Sequence, residues 1–169
     1  ERPSMATILY GMEIPLAGGN TLFANMYKAY ETLPEETKQR LAGLKAVNSY
    51  EPGTSAPMVA MRTRSTPSPD ARAFAQPVVC THPVTGKKAL YINRLMTEYI
   101  VGMQRDDSNA LLESLFDHQE QPQFIYEHRW TRGDLVIWDN RCMLHARGDF
   151  NANELRKLRR VTVKGDRIS

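Results

Sequence analysis

Cysteine is scarce in this sequence, and long apolar runs are missing. The two cysteines, Cys80 and Cys142, form no Cys-x-x-Cys pair, so neither a disulfide framework nor a zinc cluster is indicated. No apolar run approaches the roughly 20 residues that a membrane-spanning helix needs. No charged segment followed by an apolar one opens the chain. We therefore expect a soluble, cytoplasmic protein with no membrane partner.

A strong charge of either sign is also missing. The formal net charge is +3, and the basic residues are scattered except at 156–160. Without a basic face or stripe, we expect no nucleic-acid partner. The 169 residues, of which 41% are hydrophobic, can bury one core, so residues 1–169 are predicted to form a single domain. Because the chain passes from Glu1 almost directly into a strand-like run, it is predicted to start in the middle of a domain.

Periodicity predicts more strands than helices. The predicted strands cover residues 5–13, 45–50, 78–82, 89–93, 124–130, 134–138 and 158–164, and the third and fourth of them form a hairpin. The predicted helices cover residues 21–33, 34–44 and 106–119. This order favours a mainly β fold of the jelly-roll type with helices packed outside.

Two details complete the predicted fold. Thr21 is a candidate N-cap of the first helix, and Asp107 or Ser108 of the last. Residues 51–76 are rich in Pro, Ser and Thr without periodicity, which is typical of a lid or a mobile loop.

The stretch over residues 134–165 carries the strongest functional signal. It is predicted to form two strands, and His145 lies just after the Asn140-Arg141 turn that follows the first of them. Arg156 and Arg160 follow His145 by eleven and fifteen residues. A neutral imidazole on a rigid strand, with guanidiniums on a neighbouring strand, suits a metal site that binds an anionic co-substrate. A hydrogen-bonded structural histidine and solvated arginines at a strand edge would explain the same residues.

A resemblance favours the metal site. Trp138-Asp139-Asn140-Arg141, then His145 after three further residues and the two arginines, resembles the C-terminal motif of the taurine dioxygenase (TauD/TfdA) family of iron(II)- and 2-oxoglutarate-dependent oxygenases. Residues 82–93 resemble the hairpin of the same family, and Gly18-Gly19-Asn20-Thr21-Leu22 resembles its co-substrate segment. The resemblance implies a double-stranded β-helix (jelly-roll, cupin-like) core whose N-terminal part is missing here. It also implies an enzyme that uses Fe(II), 2-oxoglutarate and O2 to hydroxylate a small organic anion, releasing succinate and CO2.

The resemblance also implies a role for each site residue. His145 would be the second metal histidine, and its partner His and Asp are expected upstream of Glu1, in a His-x-Asp motif. Thr21 and Arg156 would bind the distal carboxylate of 2-oxoglutarate. Arg160 would hold the anionic group of the substrate, and Tyr91 would line the pocket. On a strand, an even spacing would place both arginines on one face.

Several expectations remain beside these roles. His82 is predicted to be a structural hairpin residue. Arg159 is expected to point away from the pocket, and Arg141 and Arg147 are expected to be structural. The His118-Gln119-Glu120 triplet has the ligand spacing but ends a predicted helix, where residues two apart diverge. Dimers or tetramers are expected by analogy with the family. A metal-free jelly-roll binding or scaffold domain is the alternative reading.

Overall fold

The computed structural model describes residues 3–50, 72–166 and 168, within which eleven strands and three α-helices form. The strands are β1 (Ser4–Glu13), β2 (Thr21–Asn25), β3 (Lys45–Tyr50), β4 (Arg72–Pro77), β5 (Val79–Thr81), β6 (Lys88–Leu90), β7 (Thr97–Ile100), β8 (Ile125–His128), β9 (Leu135–Asp139), β10 (Met143–Arg147) and β11 (Lys157–Lys164). The helices are α1 (Met26–Glu31), α2 (Glu35–Leu41) and α3 (Arg105–Gln119), and a 3-10 turn covers Pro122–Phe124.

Two three-stranded antiparallel sheets face each other. The first has the strand order β11-β1-β9 and the second β10-β2-β8. Trp138 on β9 packs edge-on against Phe23 on β2, with 5.1 Å between ring centroids. Because side chains alternate between the faces of a strand, this contact fixes which face of each strand lines the space between the sheets. We call this space the cleft.

The main hydrophobic core lies on the other side of the second sheet. Ala24 is adjacent to Phe23 in sequence and points the opposite way, into a cluster built mainly by α1, α3, β3, β5, β6 and β7. Leu112 and Phe116 of α3 are fully buried there. Burying one such side chain stabilises a fold by about 1.5–3 kcal/mol. The helices are therefore held by apolar contacts outside the cleft.

Smaller pairings extend this core. The third sheet has the order β4-β3-β7, and β5 pairs with β6 in the hairpin. The backbone N–H of Ile100 donates to the buried Ser108 hydroxyl at 2.8 Å, which joins the end of β7 to α3.

Most of the predicted elements are confirmed, with shifted ends. The helix predicted over residues 21–33 is wrong in its first part, because residues 21–25 form β2 and pair with β8 and β10 on both edges. Pairing on both edges satisfies backbone groups that a helix would otherwise satisfy. The helix starts at Met26, and Asn25 rather than Thr21 caps it by accepting from the N–H of Lys28 at 3.1 Å.

Two further predictions need correction. Of the loop predicted over residues 51–76, residues 51–71 lie outside the described residues, as does the lid assigned to them. Residues 72–76 belong to β4, which pairs with β3. The cap predicted at Asp107 or Ser108 is also wrong, because α3 begins at Arg105 and Ser108 is buried inside it. In the described part of the chain, no helix has the length and apolar character that crossing a membrane requires.

Candidate metal and anion site

His145 is placed by β10 in the cleft. It pairs with Phe23 of β2, and its ring centroid lies 4.7 Å from that of Trp138 on the opposite sheet. The side chain keeps contact with solvent. The surrounding protein nevertheless lowers the pKa of His145 by desolvation, and the positive charge of Arg160 lowers it further. A neutral imidazole is the form that binds a metal ion.

Arg160 lies on the facing sheet and belongs to the same cleft. It pairs with Leu9 of β1, two residues from Thr7, which pairs with Trp138. Arg160 therefore projects from the same sheet face as Trp138. The neighbouring Arg159 pairs with Tyr10 and projects from the opposite face, as expected. Among the described residues no carboxylate pairs with Arg160, so its charge is available to an anion.

Arg156 is held at a third position, beside the turn that precedes β2. Its Nε–H donates to the carbonyl oxygen of Gly19 at 2.8 Å, which leaves its two terminal nitrogens free to donate elsewhere. Burial lowers the pKa of Arg156, and the nearby charge of Arg147 lowers it further. Arg156 precedes β11, so the argument that strand spacing places it on one face with Arg160 is wrong. The contact with Gly19 sets its position instead.

Gly19 makes this contact possible. Its φ is +66°, and an added Cβ would come within 3.0 Å of the Cδ and Nε atoms of Arg156. A residue with a side chain would therefore be strained and would push Arg156 away.

Thr21 is buried two residues after Gly19, the contact of this arginine. Its hydroxyl oxygen accepts from the indole N–H of Trp130 at 2.9 Å. Because an indole can only donate, the hydroxyl proton of Thr21 remains available to a ligand oxygen. Trp130 was not singled out in the sequence, because its contact with Thr21 spans 109 residues.

Tyr91 lies apart from these groups. It packs against the main hydrophobic core, and burial raises its pKa to about 12. No hydrogen bond or ring contact within the described chain joins it to His145, Arg156 or Arg160. Its contribution to substrate binding stays a prediction.

A second polar cluster lies at the turn between β9 and β10. His82 Nε2, Asp139 and Cys142 offer ligand atoms within 4.8 Å of one another. The Nδ1 atom of His82 accepts from the backbone N–H groups of Val84 and Thr85, so Nε2 carries the proton and donates to Asp139 at 3.0 Å. Both ring nitrogens are thus engaged, which agrees with the structural role predicted for His82.

Arg141 completes this cluster. Its Nε donates to Asp139 Oδ1 at 2.9 Å and its terminal nitrogen to Oδ2 at 2.5 Å. Burial alone would raise the pKa of Asp139, but the hydrogen bonds from Arg141 and His82 hold it well below its usual range. The network ties the β5–β6 hairpin to the turn that leads into His145.

The residues of the cleft fit part of an iron site. Non-haem iron in 2-oxoglutarate enzymes is held by two His and one carboxylate, and His145 has the charge state and exposure of one such ligand. Within residues 3–50, 72–166 and 168, no cluster of three potential ligands includes His145. This part of the chain therefore offers one candidate metal ligand, His145, with arginines near it.

Comparison with known proteins places these features in a family. A family model described as "Taurine catabolism dioxygenase TauD, TfdA family" matches residues 1–162. The alpha-ketoglutarate-dependent 2,4-dichlorophenoxyacetate dioxygenase of Burkholderia sp. (strain RASC) is 34% identical over 166 residues, which cover 95% of this chain and 54% of that protein.

Two solved structures have the same fold. A taurine dioxygenase from Burkholderia xenovorans matches with a TM-score of 0.85 and 31% identity, over 99% of this chain and 54% of that one. AAD-2 in complex with Mn(II) and N-oxalylglycine matches with a TM-score of 0.83 and 30% identity, over 99% and 66%. The predicted jelly roll is thereby confirmed.

The chain spans between about half and two thirds of the length of these three proteins. Within that span, the sequence and the fold agree. The chain belongs to the TauD, TfdA family of taurine catabolism dioxygenases.

Proposed function

We propose that this chain carries one metal ligand and the anion-binding residues of an Fe(II)- and 2-oxoglutarate-dependent dioxygenase that hydroxylates a small organic anion. The observation that carries the proposal is the position of His145. Its neutral ring lies in the cleft between the sheets, close enough to Arg160 for that charge to lower its pKa. A metal ligand beside an unpaired cation is the arrangement needed to bring an anionic substrate to a metal.

Each site residue has one role in this proposal. His145 would hold the metal through an imidazole nitrogen, and the packing of Trp138 keeps the ring in place. Arg156 and Thr21 receive the distal carboxylate of 2-oxoglutarate through donors that their structural hydrogen bonds leave free. The bound iron and co-substrate supply the oxidising chemistry, in which R–H, O2 and 2-oxoglutarate give R–OH, succinate and CO2.

Arg160 is assigned to the substrate. Its guanidinium has no carboxylate partner among the described residues, and it shares the cleft with His145. Two of the similar proteins are named for compounds that carry an anionic group, a phenoxyacetate and taurine. A carboxylate and a sulfonate both accept hydrogen bonds from a guanidinium, so we propose a small organic carboxylate or sulfonate.

The test uses the full-length protein. Anaerobic Fe(II) titration measures metal binding, and succinate release with O2, 2-oxoglutarate and a panel of small carboxylates and sulfonates measures turnover. The His145→Ala variant should lose both signals. His118→Ala is the matched control, because it removes an imidazole that contacts Ala29 on the helical side of the fold.

Unchanged succinate release by His145→Ala would overturn the proposal. Binding of an organic anion without metal binding or succinate release would instead support the metal-free binding domain.

A further inference from the structure

Two arginines meet at one aromatic ring beside the cleft. The guanidinium carbon of Arg147 lies 5.3 Å from the ring centroid of Phe150, and that of Arg156 lies 5.9 Å from the same centroid. Phe150 is fixed by a bridge between its backbone and Gly18. The ring therefore holds two cations near each other at the end of the second sheet.

This pair of charges is not neutralised by the described protein. Neither Arg147 nor Arg156 forms an ion pair with a carboxylate in residues 3–50, 72–166 or 168. By contrast, Arg94 pairs with Glu113, Asp117 and Glu120. Two like charges in proximity repel, and the repulsion grows where one of them is half-buried. An anion bound between them would remove this cost.

The strand register places Arg147 next to the other donors of the site. It pairs directly with Thr21 across β10 and β2, and it projects from the same face of β10 as His145. Directly opposite residues have Cβ atoms about 4.5–5.5 Å apart. Arg156 reaches the same turn through Gly19, two residues before Thr21. The register and the contact with Gly19 thus bring Thr21, Arg147 and Arg156 to the same end of the second sheet.

We propose that Arg147 is a second cationic residue of the co-substrate site, and that it binds the distal carboxylate of 2-oxoglutarate together with Thr21 and Arg156. This inference rests on the proposed function and adds a residue that the sequence motif did not assign to the site. A carboxylate has two oxygens and can accept from both guanidiniums and the hydroxyl at once. The ring of Phe150 keeps both cations oriented while the site is empty of co-substrate.

The experiment measures 2-oxoglutarate binding rather than turnover. Isothermal titration of the Fe(II)-loaded full-length protein, without O2, gives the dissociation constant. Arg147→Gln should raise it about tenfold, as expected for one lost charged hydrogen bond at an exposed position. Arg147→Lys keeps the charge and should give a smaller increase. Arg40→Gln, an equal loss of charge on the exposed face of α2, should leave binding unchanged.

Salt provides a second readout. If Arg147 contributes through its charge, raising the ionic strength should weaken binding more in the wild type than in Arg147→Gln. Thermal unfolding of each variant checks that the fold is kept, which the exposure of Arg147 favours.

The outcomes separate this inference from the proposed function. If the wild type binds 2-oxoglutarate and Arg147→Gln binds it equally well, the role of Arg147 is overturned while the proposed function stands. If the wild type with Fe(II) binds no 2-oxoglutarate, both are overturned. The assignment is supported if Arg147→Gln binds 2-oxoglutarate more weakly than the wild type, Arg147→Lys shows a smaller loss of affinity, and Arg40→Gln shows none.

Discussion

Trp138 and His145 lie on strands of different sheets, and their rings pack with centroids 4.7 Å apart. The buried indole packs against the imidazole, which remains exposed to solvent. This contact is part of the desolvation that lowers the pKa of His145. Part of its hydration shell is replaced by protein, and Arg160 adds a positive charge from the facing sheet.

Replacing Arg160 with Gln should raise the pKa of His145. Without the nearby positive charge, protonating the ring costs less free energy. Desolvation by the surrounding protein remains, so the pKa should move only part of the way towards its ordinary value. Because protons compete with metal for the imidazole, half-maximal metal binding should shift to higher pH. NMR titration of the metal-free protein measures the pKa directly.

Arg159→Gln is the control for this shift, because Arg159 projects from the opposite face of β11. Equal shifts in both variants would mean that net charge, rather than the position of Arg160, sets the pKa of His145.

Replacing Asp139 with Asn should destabilise the fold by about 2–3 kcal/mol, since it removes charged hydrogen bonds from Arg141 and His82. The pKa of Asp139 is lowered in the folded state, so its contribution is complete above the pKa of an unfolded Asp and is lost as the pH falls towards the folded value. Urea unfolding at neutral and acid pH should therefore show the two proteins converging at low pH.

Asp117→Asn serves as the comparison for Asp139. Its carboxylate also accepts from an arginine, Arg94, but it is exposed, so the cost should stay below about 1 kcal/mol. A cost as small for Asp139→Asn would contradict the view that this network anchors the turn before β10.

Replacing Gly19 with Ala should weaken both the fold and 2-oxoglutarate binding. A positive φ costs an alanine about 1–2 kcal/mol, and the new methyl group would displace the Arg156 side chain. Gly43→Ala offers a matched comparison, since Gly43 also has a positive φ but no atom within 4 Å of the added Cβ. Chemical unfolding and titration with 2-oxoglutarate measure the two effects.

Gly43→Ala should lose stability and keep its affinity. If Gly19→Ala also keeps full affinity, the position of Arg156 does not depend on this glycine.

Sequence patterns predicted most of the fold because strand alternation and helical spacing are local properties. They failed at residues 21–25, where a run compatible with a helix pairs with two neighbours that come more than 100 residues later. They also missed β7, a four-residue strand whose pairing with β3 has no local signature. Long-range pairing overrides weak local preference in both places.

The candidate site was predictable only as far as the motif reaches. His145, Arg156 and Arg160 stand at spacings that resemble the family, and the roles inferred for them remain predictions. Arg147 was expected to be structural and Trp130 was not assigned, because their relation to Thr21 depends on cross-strand register and on a contact across 109 residues. Spacing in sequence does not encode either relation.

The opposite orientation of Phe23 and Ala24 has a consequence for how this protein can change. Ala24 faces the apolar cluster that holds the helices, whereas Phe23 faces the cleft. Substitutions among exposed cleft residues should therefore change the lining of the cleft and leave the apolar cluster packed, whereas Phe23 and Trp138 are buried and contribute to stability themselves. One layer of side chains on β2 lines the cleft and the other packs against the helices, so each layer can change without repacking the other.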